Sequence, residues 1–260
     1  MGDNIHMAGL LKSWQRKRVL QRTELDPALW HHITRGLPFL RGLTPEEMQR
    51  LQALSVLFLD EKEMHGARGF VPTDAVRLSI AVQACLPILN LGLDAYSGWV
   101  GIVIYPGEFK VRRTETDPAG VVHEYEDELS GEAWHGGPVI LSWQDIDLGE
   151  AGYNVVIHEF AHKLHMSRGD MDDFPQPHAR MDGDAWLDAW DSAYDELCDQ
   201  VERGVETAID PYASEQPAEF FAVLSETFFT LPQLVRSVYP DLYAQLALFY
   251  RQDPAARPTT

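Results

Sequence analysis

Val155-Val156-Ile157-His158-Glu159-Phe160-Ala161-His162-Lys163-Leu164 is the stretch on which the reading of the chain turns. His158 and His162 are four residues apart, one turn along one face of a helix, so both imidazoles can reach a single cation. Imidazole suits zinc, and Glu159 beside the first histidine is placed to act as general base toward the attacking water. It would then pass that proton to the leaving amine. Taken alone, this five-residue pattern arises by chance in roughly a few per cent of chains of this size. Its surroundings argue against accident. Val155, Val156, Ile157, Phe160, Ala161 and Leu164 are the apolar neighbours of a core helix, where two imidazoles and a carboxylate are costly without a partner such as a metal.

A catalytic zinc needs a third protein ligand and one open position. A third histidine six residues after His162 would serve, but Arg168 stands there. A carboxylate from a later helix is the other solution. Pro217-Ala218-Glu219-Phe220-Phe221-Ala222-Val223-Leu224-Ser225-Glu226 places Glu219 and Glu226 seven apart on one face. Glu219, in the first turn, is read as the ligand, and Glu226 as a group that orients a ligand imidazole. Tyr212, seven residues before Glu219, offers a phenol that can hydrogen-bond a developing oxyanion.

Outward from this core, the N-terminal third reads as helix. Thr44-Pro45-Glu46-Glu47 has the signature of a capping box with proline in the first helical position, followed by Leu51, Leu54 and Phe58 at helical spacing. A second helix is expected from about Thr73 through Val76, Ile80, Ala81 and Ala84. The middle changes character. Trp99 to Tyr105, Val111 to Arg113, Val121 to Tyr125 and Pro138 to Trp143 are strand candidates, separated by turn signals at Asp117-Pro118-Ala119-Gly120 and Gly136-Gly137-Pro138. They suggest a small sheet of about three to five strands. Helices return after Gly149: Gly152 to Met166, Asp184 to Gly204, Pro217 to Leu231, and two shorter ones to about Asp253. Helices, then a sheet, then helices is an α+β pattern.

The chain has 260 residues and 45% hydrophobic content, enough for one core. We expect residues 26–260 to form a single domain after an N-terminal segment of residues 1–25, with Met1 to His6 read as an artificial leader ahead of a native start at Met7. The formal net charge of -19 disfavours direct binding of nucleic acid. No apolar run reaches the roughly 20 residues of a membrane span, and no secretory signal is visible. Cys85 and Cys198 have no paired spacing, so a reducing cytoplasm is expected.

The chain resembles the Mlc titration factor A family of bacterial zinc metallopeptidases. The resemblance is carried by Leu86-Pro87-Ile88-Leu89-Asn90-Leu91-Gly92-Leu93, Ile104-Tyr105-Pro106, Gly137-Pro138-Val139-Ile140-Leu141-Ser142-Trp143, the stretch Ile157 to Leu164, Ile209-Asp210-Pro211-Tyr212-Ala213 and Pro217 to Glu226. It implies a zincin-like (gluzincin) domain with a small mixed sheet, an active-site helix and flanking helices. It also implies one zinc held by His158, His162 and Glu219, with Glu159 as base and Tyr212 as transition-state donor. The spacing of Tyr212 and Glu219 is similar to that of the anthrax lethal factor catalytic domain. Aminopeptidase-type action on small substrates is implied, together with a regulatory role through binding a Mlc-like repressor of sugar uptake genes. The alternative is a module that sequesters such a regulator, its peptidase activity secondary or latent. The family usually has Asp where this chain has His165, which leaves His165 as a group supporting a ligand, a competing ligand or, as we favour, a substituted packing residue. Finally, Pro138 to Trp143 is expected to be the edge strand beside the cleft, offering the backbone of Val139, Ile140, Leu141 and Ser142 to an extended peptide.

Overall fold

Thr44 does cap a helix: its hydroxyl accepts from the Glu47 N–H at 3.2 Å, and the Glu47 carboxylate accepts from the Thr44 N–H at 2.9 Å. This reciprocal pair satisfies donors that a helix start leaves open. The structure is a computed structural model and describes residues 2–116, 122–129, 131–134, 136–148, 152–168 and 173–258. The expected turn Asp117-Pro118-Ala119-Gly120 lies outside these residues, as does Val121.

In chain order the elements begin with α1 (Gly2–Arg22), α2 (Pro27–Arg35), α3 (Pro45–Glu61), β1 (Glu63–Gly66) and α4 (Asp74–Cys85), the last capped by Thr73. The middle holds β2 (Gly101–Tyr105), β3 (Phe109–Thr116), β4 (Val122–Leu129), β5 (Gly131–Ala133) and β6 (Val139–Ser142). Next come α5 (Trp143–Leu148), α6 (Val155–Met166), α7 (Gly183–Glu202), α8 (Pro217–Thr230), α9 (Pro232–Val238) and α10 (Pro240–Tyr250). The mixture is α+β, as the segregated pattern predicts. Among the described residues no helix is long and apolar enough to cross a membrane.

The main sheet has four strands in the order β1-β2-β6-β5, with β1, β2 and β6 parallel and β5 antiparallel to β6. Two sequence expectations change here. β3 and β4 form their own two-stranded hairpin rather than joining this sheet. And β6 is not the edge: Val139, Ile140 and Leu141 pair with β2 on one side and with Ala133, Glu132 and Gly131 on the other, while Ser142 pairs with Tyr105 of β2. Both hydrogen-bonding sides of its central residues are used within the fold; among the described residues the sheet ends on β1 and β5, and β5 is the end strand that packs against α6. Trp143, expected to end the strand, instead begins α5.

Side-chain alternation explains which face of the sheet is covered. Ile102, Ile104, Val139 and Leu141 are fully buried, and Ile140 is only half-buried. The helix α6 packs against β5 and β6 on one side and against α4 and α8 on the other. Phe160, roughly 200° round the helix from His158, enters a cluster with Phe58, Tyr96 and Trp99 at ring separations of 5.1–5.6 Å. Leu86, Ile88 and Leu89 are buried in the same core. Opposite, Trp186 and Trp190 of α7 pack with Phe220, Phe221 and Phe249. The catalytic-type motif is thus held on a helix anchored from both layers, and its polar face is left to the groove between α6 and α8.

Candidate metal centre

Asn154 sets the start of α6, which begins three residues later than the sequence suggested from Gly152. Its side-chain oxygen accepts from the Ile157 N–H at 2.9 Å, and its amide nitrogen donates to the Gln83 side chain at 2.7 Å. Gln83 in turn donates to the Ser79 hydroxyl at 3.1 Å. The backbone N–H of Asn154 donates to Glu226 at 2.5 Å. A buried polar chain therefore ties α4, the first turn of α6 and α8 together directly behind His158.

The helices bring His158, His162 and Glu219 into one cluster, with a ligand-capable atom of each within 4.8 Å of the others. His158 Nε2 lies 3.1 Å from Glu219 Oε2 and 3.2 Å from His162 Nε2, and His162 Nε2 lies 3.4 Å from the same carboxylate oxygen. Tetrahedral donors about 2.0–2.1 Å from a cation stand about 3.3 Å from one another. The spacing and the chemistry of the donor set therefore fit one metal ion. Gln216 donates to the other Glu219 oxygen at 3.2 Å and so holds the carboxylate in place. The position of Glu219 in the first turn of α8 also suits a negative charge.

Electrostatics point the same way. Burial opposes a charge on His158, yet its hydrogen bonds to Glu219 and Glu226 outweigh that and push the imidazole up to about 10. Burial would raise Glu219, but hydrogen bonds with His158 and His162 win and hold it well below the usual carboxylate range. The cluster draws positive charge to the point between these groups. His162 behaves differently: burial drives it down, with the hydrogen bond to Glu219 opposing, and its Nδ1 is buried with no hydrogen-bond partner among the described residues.

Glu159 lies beside the cluster with Oε2 buried and without a hydrogen-bond partner among the described residues. Burial pushes its carboxyl up to about 8; His158 opposes, and the carboxylates of Glu219, Glu132 and Glu226 add to the rise. Its other oxygen rests against Gly131 of β5, where a Cβ would stand 2.3 Å from Oε1. Only glycine lets the sheet edge come so near. Glu226, the group expected to orient an imidazole, does meet His158 Nδ1, at 3.2 Å. Tyr212 sits in the single turn Pro211–Ser214, capped by Asp210, with its ring 6.4 Å from that of His158. That turn is fixed to α7 by Tyr194, whose hydroxyl donates to the Ser214 carbonyl at 3.1 Å.

His165 stands outside the metal-capable cluster. Its Nε2 meets the Asp173 carbonyl oxygen at 2.6 Å and its ring packs edge-on to Phe221. These contacts hold the ring between the end of α6 and the Phe221 side of α8. Sequence reasoning missed Asn154, Gln83 and Gly131. An Asx residue before the helix and a lone amide in an apolar helix were available signals. A strand glycine hints at a close approach but not at what approaches.

Two histidines one helical turn apart and a glutamate from a second helix form a group that could hold a metal ion, which is what a metallopeptidase requires. The chain matches the family described as glucose-regulated metallo-peptidase M90 over residues 11–251, and it belongs to that family. It is 40% identical over 248 residues to the uncharacterized protein slr2042 of Synechocystis, covering 93% of this chain and 89% of that protein. It is 38% identical over 234 residues to proteins named Mlc titration factor A in Yersinia pestis and Yersinia pseudotuberculosis, covering 88% of this chain and 86% of each relative.

Proposed function

We propose that the protein is a zinc-dependent peptidase working at His158, Glu159, His162 and Glu219. The observation that carries this reading is the convergence of two imidazole nitrogens and one carboxylate oxygen at 3.1–3.4 Å, beside the buried Glu159, whose Oε2 has no hydrogen-bond partner among the described residues. A zinc ion held there would polarise the scissile carbonyl and acidify the attacking water. Glu159 accepts the proton of that water and returns it to the leaving amine. The Tyr212 hydroxyl donates to the oxyanion as the carbonyl becomes tetrahedral. Glu226 holds His158 in the tautomer that directs Nε2 to the metal. The sheet beside α6 and the glutamate helix α8 across the groove suit a zincin-like architecture. With β6 covered, the end strand β5 is the one we assign to pairing with an extended peptide, next to Glu159.

Aminopeptidase-type action on small substrates is the narrower reading. The groove holds a cavity of about 550 Å³, which suits a short peptide better than a folded chain. Cys85 and Cys198 are unbridged, which suits a cytoplasmic setting. The test is metal content of protein purified without added zinc, with hydrolysis of short-peptide amides. About one zinc per chain and cleavage stopped by a chelator are expected. Glu159→Gln should keep the metal and lose turnover; normal cleavage by that variant sinks the mechanism.

A second reading concerns regulation. The Yersinia relatives carry a name describing titration of Mlc, and this supports binding of a Mlc-like transcriptional repressor by this chain. Pull-down of a purified Mlc-type repressor by wild type, by Glu159→Gln and after zinc removal separates a binding role from catalysis. Capture in all three supports a module whose peptidase activity is secondary, and no capture in any ends this reading.

A further inference from the structure

We propose that the groove carries a side-chain subsite that accepts an uncharged apolar residue flanking the scissile bond; this rests on the peptidase reading above. The cavity of about 550 Å³ runs from His158, Glu159 and Tyr212 into a space walled by Val155, Ile209, Val223, Leu231 and Leu234. These hydrocarbon side chains come from separate places: the first turn of α6, the segment before Tyr212, the middle of α8, and the junction of α8 with α9. Their convergence on one side of Glu159 builds a site rather than a single exposed apolar residue.

Charge sharpens the assignment. None of the described residues lining the cavity is lysine or arginine, while Glu159, Asp210 and Glu226 line it with carboxylates. An acidic side chain entering it would shed water and meet a wall of carboxyl groups with no lysine or arginine among the described lining residues to pair with. A leucine or phenylalanine side chain gains by leaving water and meets no such repulsion. The volume admits the larger aromatic residues.

Leu231 is the accessible member of the wall, 36% exposed, whereas Val155 and Val223 are 3% and 7% exposed. Gly152 faces it with φ +94°, and a Cβ on Gly152 would stand 3.0 Å from the Leu231 Cδ1. Leu231 lines the cavity and lies outside the metal-capable cluster, so it is the position through which the subsite can be altered without touching that cluster.

The experiment uses metal-loaded protein and short peptides in which one residue is varied among Leu, Phe, Asn, Asp and Lys, first on one side of the cleaved bond and then on the other. At one of the two positions Leu and Phe should exceed Asp in kcat/KM by about 10- to 100-fold. Leu231→Arg should shrink or reverse that ratio, and Leu234→Arg, one helical turn on, repeats the test should the first variant fold poorly. Equal rates for Leu and Asp at both positions, or a preference for Lys over Leu, overturn the subsite. Equilibrium binding of the same Leu and Asp peptides, read by calorimetry on the Glu159→Gln protein, separates this proposal from the reaction itself. Tighter binding of the Leu peptide without any cleavage by wild type would retain the subsite and discard the peptidase reading; equal binding would discard the subsite.

Discussion

His158 and Glu226 are joined at 3.2 Å through Nδ1 and Oε2, and the other oxygen of the same carboxylate takes the Asn154 N–H at 2.5 Å. One buried glutamate on α8 thus fixes both the ring orientation of a metal-ligand candidate and the first turn of the helix that carries it. Glu226→Gln keeps the shape but can turn an amide NH₂ toward Nδ1, which removes the acceptor. Metal affinity should fall about 10- to 100-fold with the fold intact. Competition with a chromophoric chelator measures it, and unchanged affinity would show that Glu226 does not orient the ligand.

Asn154→Ala removes the cap on Ile157 and leaves the Gln83 side-chain oxygen without its donor. A lost cap typically destabilises by about 1 kcal/mol, and the orphaned buried amide adds a further loss of about 1 kcal/mol or more. Urea unfolding should show a lower midpoint at an unchanged slope.

Gly131→Ala places a methyl group where the Glu159 carboxylate now rests. Strand and carboxylate must move apart, so turnover should drop by about 100-fold or more while zinc content stays near wild type. Metal analysis beside peptide hydrolysis decides this. Full activity would mean that β5 does not constrain the base.

Tyr212 is 43% exposed, so Tyr212→Phe should fold normally. Loss of one oxyanion donor should lower kcat by roughly 100- to 1,000-fold with little change in KM. A change confined to KM would place the hydroxyl on substrate binding instead.

Zinc that binds the folded cluster and not the unfolded chain must stabilise the fold, by about 2.7 kcal/mol at a free concentration 100 times Kd. Thermal unfolding with zinc and with chelator should differ accordingly. Glu219→Ala should abolish the difference, since it removes the donor that α8 supplies.

The legible parts of the chain share a feature. The Thr44 box, the Thr73 cap, the pairing of His158 with His162, and Glu219 with Glu226 on one face all depend on residues within a few helical turns. Sheet order was less legible. Glu63-Met64-His65-Gly66 and Gly131-Glu132-Ala133 lack alternation and β-branched residues, yet both are strands because neighbouring backbones pair with them. Pro138 to Trp143 looked like an edge because nothing in its own residues announced the three-residue partner β5.

The amino-acid sequence by itself determined the metal-capable residues, the α+β pattern and the helix that presents His158 and His162, because helical spacing and capping are local rules. Only the tertiary structure decided that β5 rather than β6 stands at the end of the sheet, that Gly131 lies on Glu159, and that Gln83 and Asn154 brace Glu226. Each of those outcomes depends on segments distant along the chain meeting through backbone hydrogen bonds and close packing, which side-chain identity at one position does not encode.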